Sequence, residues 1–223
     1  LPPSDVVSKV INSLGSTNTN QHCFIDTTTG KPEEMIEVGE TLDRLGANYL
    51  EANIAGSSVL TKTGNATLFL GGEKGVINSQ QDLLNALTLK QFHLGPVGAA
   101  SKFKLVHNLI LGLNRAGLAE GLALAETLGF NPSEALVILN KTPAASLAME
   151  AKGDKMAMGK YTPPQAKLAQ HLKDVRIIRQ LADKVGAHTP LTNAHLSLLE
   201  KAESLGFGES DNAAIIEAFR HNL

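Results

Sequence analysis

The chain of 223 residues carries 20 basic and 22 acidic side chains, a formal charge of -2, so no net field recruits nucleic acid or an anionic membrane surface. Its one cysteine, Cys23, excludes an internal disulfide framework and fits the reducing cytoplasm. No apolar run reaches the roughly 18 residues of a membrane span and no signal peptide is visible, while the length permits a sizeable, mainly aliphatic core in one or two domains.

Leu1-Pro2-Pro3-Ser4-Asp5 reads as a loop entering a helix, with Ser4 as N-cap ahead of Val6, Val7, Val10 and Ile11. The chain opens without Met, as if it began inside a domain. Cys23-Phe24-Ile25-Asp26 is a short strand candidate, and Cys23 beside it reads as a small buried residue. Pro32 starts a helix whose positive end suits Glu33 and Glu34, and Gly46 stops it. Strands are expected at 48–52, 66–70 and 92–94, with one helix over 74–87. Alternation of strand and helix argues for an α/β unit with a doubly wound, mostly parallel sheet.

From Gly98 onward helical periods dominate: 99–128, 132–140, 144–150, 164–186, 190–204 and 211–220, punctuated by Asn131-Pro132, Thr142-Pro143, Pro163-Pro164 and Thr189-Pro190. Lys152 to Lys160 is polar and reads as a mobile connection. The division is therefore residues 1–97, α/β, followed by an all-α domain over 98–223. Apolar faces such as Leu105-Leu109-Leu113 and Leu196-Leu199 exceed what a small helical layer needs, which points to a homo-oligomer, dimer or tetramer.

Two loops at strand ends invite ligands. Around Ala55-Gly56-Ser57-Ser58, backbone N–H groups suit a carboxylate, although an ordinary connection has the same composition. Asp26-Thr27-Thr28-Thr29-Gly30 offers hydroxyls to a ribose or substrate, or caps for the helix at Pro32. No G-x-G-x-x-G opens a helix, and no phosphate-cradling G-x-x-x-x-G-K-S/T is present. The histidines lack metal-ligand spacing, so no metal is expected. Lys104 and Asn108 lie one turn apart on one helix face among apolar neighbours. The lysine is either a snorkelling surface residue or a partly desolvated ammonium able to move a proton near neutral pH.

In this order the pieces resemble the β-hydroxyacid dehydrogenase family, which includes 3-hydroxyisobutyrate dehydrogenases and glyoxylate/succinic semialdehyde reductases and is related to 6-phosphogluconate dehydrogenase. Ile25-Asp26-Thr27-Thr28-Thr29 is similar to its I-D-x-S-T segment, and Glu51-Ala52-Asn53-Ile54-Ala55-Gly56-Ser57 to its D-A-P-V-S-G-G loop. Gly98 through Asn108 resembles its G-x-x-x-K-x-x-x-N helix, with Glu120 at its A-E-A position. Lys173-Asp174 resembles its K-D-L pair, and Gly206 to Asp211 its G-x-G-x-x-D ending.

The resemblance implies a partial Rossmann unit and an NAD- or NADP-dependent oxidoreductase of a small hydroxy acid and its semialdehyde or keto acid. Lys104 would be the general acid/base, with Lys102 a bystander, and Asn108 would hold the substrate in register. Ala55, Gly56 and Ser57 would bind the substrate carboxylate, and Thr29, Lys173 and Asp174 the cofactor side. Against the family pattern, the N-terminal glycine fingerprint unit, roughly 60–70 residues, is missing. Ala55 stands for the loop serine and Ala166 for a frequent Phe, which implies a roomier pocket. The other reading is a non-catalytic dehydrogenase-like module for oligomerisation or ligand sensing.

Overall fold

The structure, a computed structural model, describes residues 4–14, 19–20 and 22–221. Leu1-Pro2-Pro3 and the side chain of the expected cap Ser4 lie outside the described residues. The chain divides into two compact units, Leu1–His107 and Asn108–Leu223. As expected, an α/β unit with a mostly parallel sheet comes first and a helical unit follows. This division into compact units falls inside a long helix, Ala99–Thr127.

In the first unit, β1 (Cys23–Asp26), β2 (Asn48–Ala55), β3 (Thr67–Gly71) and β4 (Gln91–His93) form one sheet in that order. The β1/β2 and β3/β4 pairs are parallel. The β2/β3 pair is antiparallel, with Glu51 opposite Gly71 and Ala55 opposite Thr67. Its connection is one short helix, α3 (Ser58–Lys62), less than a parallel crossover requires.

Strand β2 is the buried centre, and its odd and even positions face opposite sides. Tyr49 packs with Met35, Val38 and Leu42 of α2 (Pro32–Arg44) and Ile11 of α1 (Ser4–Ser13). Leu50 and Ala52 pack on the other side with Leu68, Leu70, Ile77 and Leu84. Each fully buried Leu or Met stabilises the unit by about 1.5–3 kcal/mol. The helix expected over 74–87 is two, α4 (Lys74–Ser79) and α5 (Gln81–Leu87), which break at Gln80.

The helix α6 (Ala99–Thr127) leads into the second unit, with α7 (Pro132–Leu139), α8 (Leu147–Met158), α9 (Leu168–Lys184) and α10 (Pro190–Ala202). A 3-10 turn, Asn212–Ile216, is buried throughout. It joins Leu118, Leu122, Met156, Leu172 and Leu199 in the core. The segment ends in α11 (Glu217–Arg220).

Residues 152–158, expected within a mobile connection, are instead part of α8. Ser146 caps that helix by accepting from Met149 N at 3.1 Å, and Gly159 stops it at φ +63. Gly153 sits so close to Leu136 that a Cβ there would lie 2.8 Å from Leu136 Cδ2. Of the faces expected to meet a second copy, Leu105 is 1% and Leu199 0% exposed, while Leu109, Leu113 and Leu196 are half-buried. The exposed apolar residues on α6 are Phe103, Val106, Ile110 and Leu124. Among the described residues no helix is long and apolar enough to cross a membrane.

Candidate functional site

The odd-numbered face of β2 carries two buried polar side chains, Glu51 and Asn53, each 1% exposed. Glu51 reaches the start of α6: its Oε2 accepts Gly98 N–H at 2.6 Å and its Oε1 accepts the Ser101 hydroxyl. A carboxylate there meets the unsatisfied N–H groups and positive end of a 29-residue helix. Burial pushes the Glu51 carboxyl up, and the bonds from Ser101, Gly98 and Ala100 oppose that rise.

Two glycines permit this approach. Gly98 adopts φ +91, and a Cβ on it would lie 2.8 Å from Ile36 Cδ1. A Cβ on Gly71 would run into Glu51 Oε2 and lie 3.1 Å from Ala100 N. Helix α6 is thus pinned at its first turn, and Lys104 follows Ser101 by three residues. Lys104 is buried, 7% exposed, whereas Lys102 is exposed. The snorkelling surface lysine weighed for Lys104 is therefore not what the fold contains. Beside it, Phe69 makes edge contacts with Phe103 and His107, centroids 5.1 and 5.7 Å away.

The loop after β1 is held by Asp26, whose Oδ1 accepts Thr28 N at 2.8 Å and the Thr28 hydroxyl. Its Oδ2 accepts the Tyr49 hydroxyl at 2.8 Å. Burial and the adjoining Asp26 carboxylate push the Tyr49 hydroxyl well above its usual range. The N-cap of α2 is Lys31 rather than a threonine, and its ammonium pairs with Glu34 at 2.8 Å. Thr29 is half-buried in this loop. Asn53 donates its Nδ2 to the Thr28 carbonyl, which leaves the buried Asn53 Oδ1 without a partner.

The Ala55-Gly56-Ser57 segment is less of a loop than expected. Ala55 is the buried last residue of β2. Gly56 makes the turn, where a Cβ would lie 3.1 Å from Ala66 Cβ. Ser57 caps α3, its hydroxyl accepting from Leu60 N at 3.2 Å. What this segment offers a ligand is backbone.

In the helical unit, Asn108 Nδ2 donates to Asp174 Oδ2 at 3.1 Å. Lys173 Nζ lies 3.3 Å from Asp174 Oδ1. The structure therefore brings Asn108, Lys173 and Asp174 together, with Lys104 one helical turn before Asn108. Ala166 is exposed ahead of α9. The sequence motifs passed over Glu51 as a binding group, although an acidic residue inside a continuously buried strand was the signal. They also missed His171 of α9 and His195 of α10, whose rings lie 5.2 Å apart, and the buried Arg115 of α6. No group of three or more His, Cys, Asp or Glu among the described residues could hold a metal ion.

Comparison with known proteins adds the following. Residues 98–219 match the sequence family described as NAD-binding of NADP-dependent 3-hydroxyisobutyrate dehydrogenase. Residues 1–95 match the NAD binding domain of 6-phosphogluconate dehydrogenase. The cytokine-like nuclear factor N-PAC of Aedes aegypti is 31% identical over 192 residues, 86% of this chain but 34% of that protein, so the chain spans about a third of that relative's length. The 2-(hydroxymethyl)glutarate dehydrogenase of Eubacterium barkeri is 28% identical over 98% of this chain and 74% of its own. Among solved structures, a 3-hydroxyisobutyrate dehydrogenase from Salmonella typhimurium superposes with TM-score 0.90 at 22% identity, over 97% of this chain and 76% of that one.

Proposed function

The chain belongs to the β-hydroxyacid dehydrogenase family, and on that premise we propose that it serves an NAD(P)-dependent oxidoreductase interconverting a small hydroxy acid and its semialdehyde or keto acid. The observation that carries this reading is Lys104, a buried ammonium near the start of a pinned helix, one turn ahead of Asn108.

The residues present suit a nicotinamide dinucleotide. The orphaned Asn53 Oδ1 is a buried acceptor beside the Thr28-Thr29 loop, suited to an amide N–H donor. Thr29 on the α/β unit and Lys173 and Asp174 on α9 are the groups assigned to hold the cofactor. When bound, the nicotinamide supplies or takes up the hydride. Lys104 stabilises the negative charge that builds on the substrate oxygen during reduction and gives it a proton; in oxidation it takes that proton back. Asp174 accepts from the Asn108 amide nitrogen and so fixes which end of that amide is the acceptor. Gly56 and Ser57 bind the substrate carboxylate through backbone N–H groups. Ala55 has no hydroxyl and the Ser57 hydroxyl caps α3, so neither side chain offers the substrate a hydroxyl.

The exposed stripe Phe103, Val106 and Ile110 of α6 suits a second copy of this chain, and the proposed assembly is a homo-oligomer. The second reading is a non-catalytic dehydrogenase-like module for oligomerisation or ligand sensing, raised by a relative whose name is that of a nuclear factor rather than an enzyme.

One assay separates the two readings: NADPH- and NADH-dependent reduction of glyoxylate and succinic semialdehyde by the purified protein and by Lys104→Ala. Turnover that depends on Lys104 supports the enzyme. Equal rates in both proteins refute the assignment of Lys104, and cofactor binding without turnover in wild type supports the module.

A further inference from the structure

Within the second unit, one side of α6 is exposed along its whole length. Ile110, Asn114, Gly117, Gly121, Leu124 and Leu128 are exposed, while Ala119 and Leu122 of the other side lie in the core. Leu128 continues the last turn, its N–H bonding to Leu124 O at 3.0 Å. The exposed residues follow one another at spacings of 4, 3, 4, 3 and 4, which keeps them in one stripe. From Ile110 to Leu128 the stripe covers five turns and runs parallel to the helix axis for about 27 Å.

Glycine inside a helix weakens it relative to alanine. At Gly112 and Gly153 the fold explains the choice, since a Cβ would stand 2.7 Å from His171 Nε2 or 2.8 Å from Leu136 Cδ2. A Cβ on Gly117 or Gly121 would meet nothing within 4 Å among the described residues. Bare backbone there serves only a body arriving from outside. The two glycines make a shallow notch between Ile110 and Leu124, where a second helix comes closer than the usual 8–10 Å or so between axes. The spacing is the same in both directions along the chain. A two-fold axis at the level of residue 119 therefore lays a second α6 antiparallel on the first, in register with itself. Ile110 then lies beside the partner's Leu128, Asn114 beside the partner's Leu124, and Gly117 beside the partner's Gly121. Such self-complementarity is what an isologous dimer requires and what an unrelated partner does not. The stripe carries no charged side chain, so two copies meet without like-charge repulsion. Each copy presents a strip of roughly 300–400 Å², the size at which exposed apolar surface marks an interface. Phe130, Val137 and Ile138, 63%, 56% and 64% exposed in the same unit, extend the apolar surface toward the roughly 800 Å² per partner of a standard interface.

We infer that the Ile110–Leu128 face of α6 is the two-fold contact between two copies of this chain, the helices antiparallel and closest at Gly117 and Gly121. The inference rests on the homo-oligomer proposed above and fixes where its axis lies.

Sedimentation velocity of the purified protein at about 50 μM compares wild type with Gly117→Gln/Gly121→Gln. Wild type is expected as an even-numbered oligomer and the variant at half its mass, with wild-type helical circular dichroism because both new side chains enter open space. Cross-linking fixes the register. In a Cys23→Ser background, Ile110→Cys/Leu128→Cys should form disulfide-linked dimers on mild oxidation. Ile110→Cys alone should not, because the two copies of that residue lie about 27 Å apart. A wild type that stays monomeric overturns the inference and the homo-oligomer reading with it. An oligomer whose mass the glycine variant leaves unchanged overturns the inference and leaves that reading standing. So does one that forms no disulfide through the pair, or forms it equally through Ile110→Cys alone. Should the glycine variant not fold, the cross-link decides.

Discussion

Removing the Lys152 ammonium tests the architecture of the helical unit where the fold departs most from its sequence reading. Lys152 is 8% and Asp211 0% exposed. In Lys152→Met the carboxylate stays buried and loses the two bonds at 2.8 and 2.9 Å. It keeps the N–H groups of Gln165 and Ala213, and Lys155 remains at 3.9 Å. Removing one partner of a buried pair costs about 3–5 kcal/mol, and the surviving donors place this case near 3. For a chain of this length that is a fall in unfolding midpoint of roughly 6–12 °C. In Lys152→Met/Asp211→Asn the buried ion pair is removed as a whole and the amide oxygen still accepts from Ala213 N, but Lys155 and Arg115 lose the carboxylate and the amide nitrogen meets the Gln165 N–H, so part of the loss returns. Urea and thermal unfolding of the wild type, both single variants and the double variant measure the cycle. A single-variant cost below about 1 kcal/mol, or a double variant as unstable as the sum of the singles, refutes the reasoning.

Gly71→Ala places a methyl group against Glu51 Oε2 and Ala100, and should cost about 1–3 kcal/mol, measured by urea unfolding. Ser57→Ala should cost about 1 kcal/mol through loss of the α3 cap yet leave KM for the carboxylate substrate within about twofold; a large rise in KM would instead make the hydroxyl a substrate ligand. Burial, and then the Arg115 charge, hold His195 down to about 4 from 6.5. As pH falls the unfolded chain therefore takes up that proton first. Stability present above about 6.5 should be lost as pH drops to about 4, by roughly 3 kcal/mol, and His195→Gln should flatten that slope in urea titrations.

What the chain displays openly is its periodicity and punctuation. Pro32 and Gly46 bracket α2, and the apolar period from Ala99 runs unbroken through Thr127 because no Pro interrupts it. Strand direction is not encoded in alternation, so the antiparallel β2/β3 pair shows only in the paired register. Helix α8 was hidden by Gly153 and the lysines around it. There the glycine is a packing requirement against Leu136 rather than a break, and the lysine is a buried ion-pair partner rather than solvated surface. In the site, Lys104, Asn108, Lys173 and Asp174 were visible as motif positions. The bond between Asn108 and Asp174, the Glu51 clamp on α6 and the pairing of His171 with His195 arise from elements far apart in sequence, which no local pattern reports.

Proton transfer by Lys104 is the central claim, and the most direct measurement is kcat for aldehyde reduction by Lys104→Ala, with and without an added primary amine. A fall of about 10²–10⁴-fold, partly restored by the amine as its protonated form replaces the missing ammonium, is the predicted result. A kcat within about threefold of wild type, indifferent to amine, would contradict it.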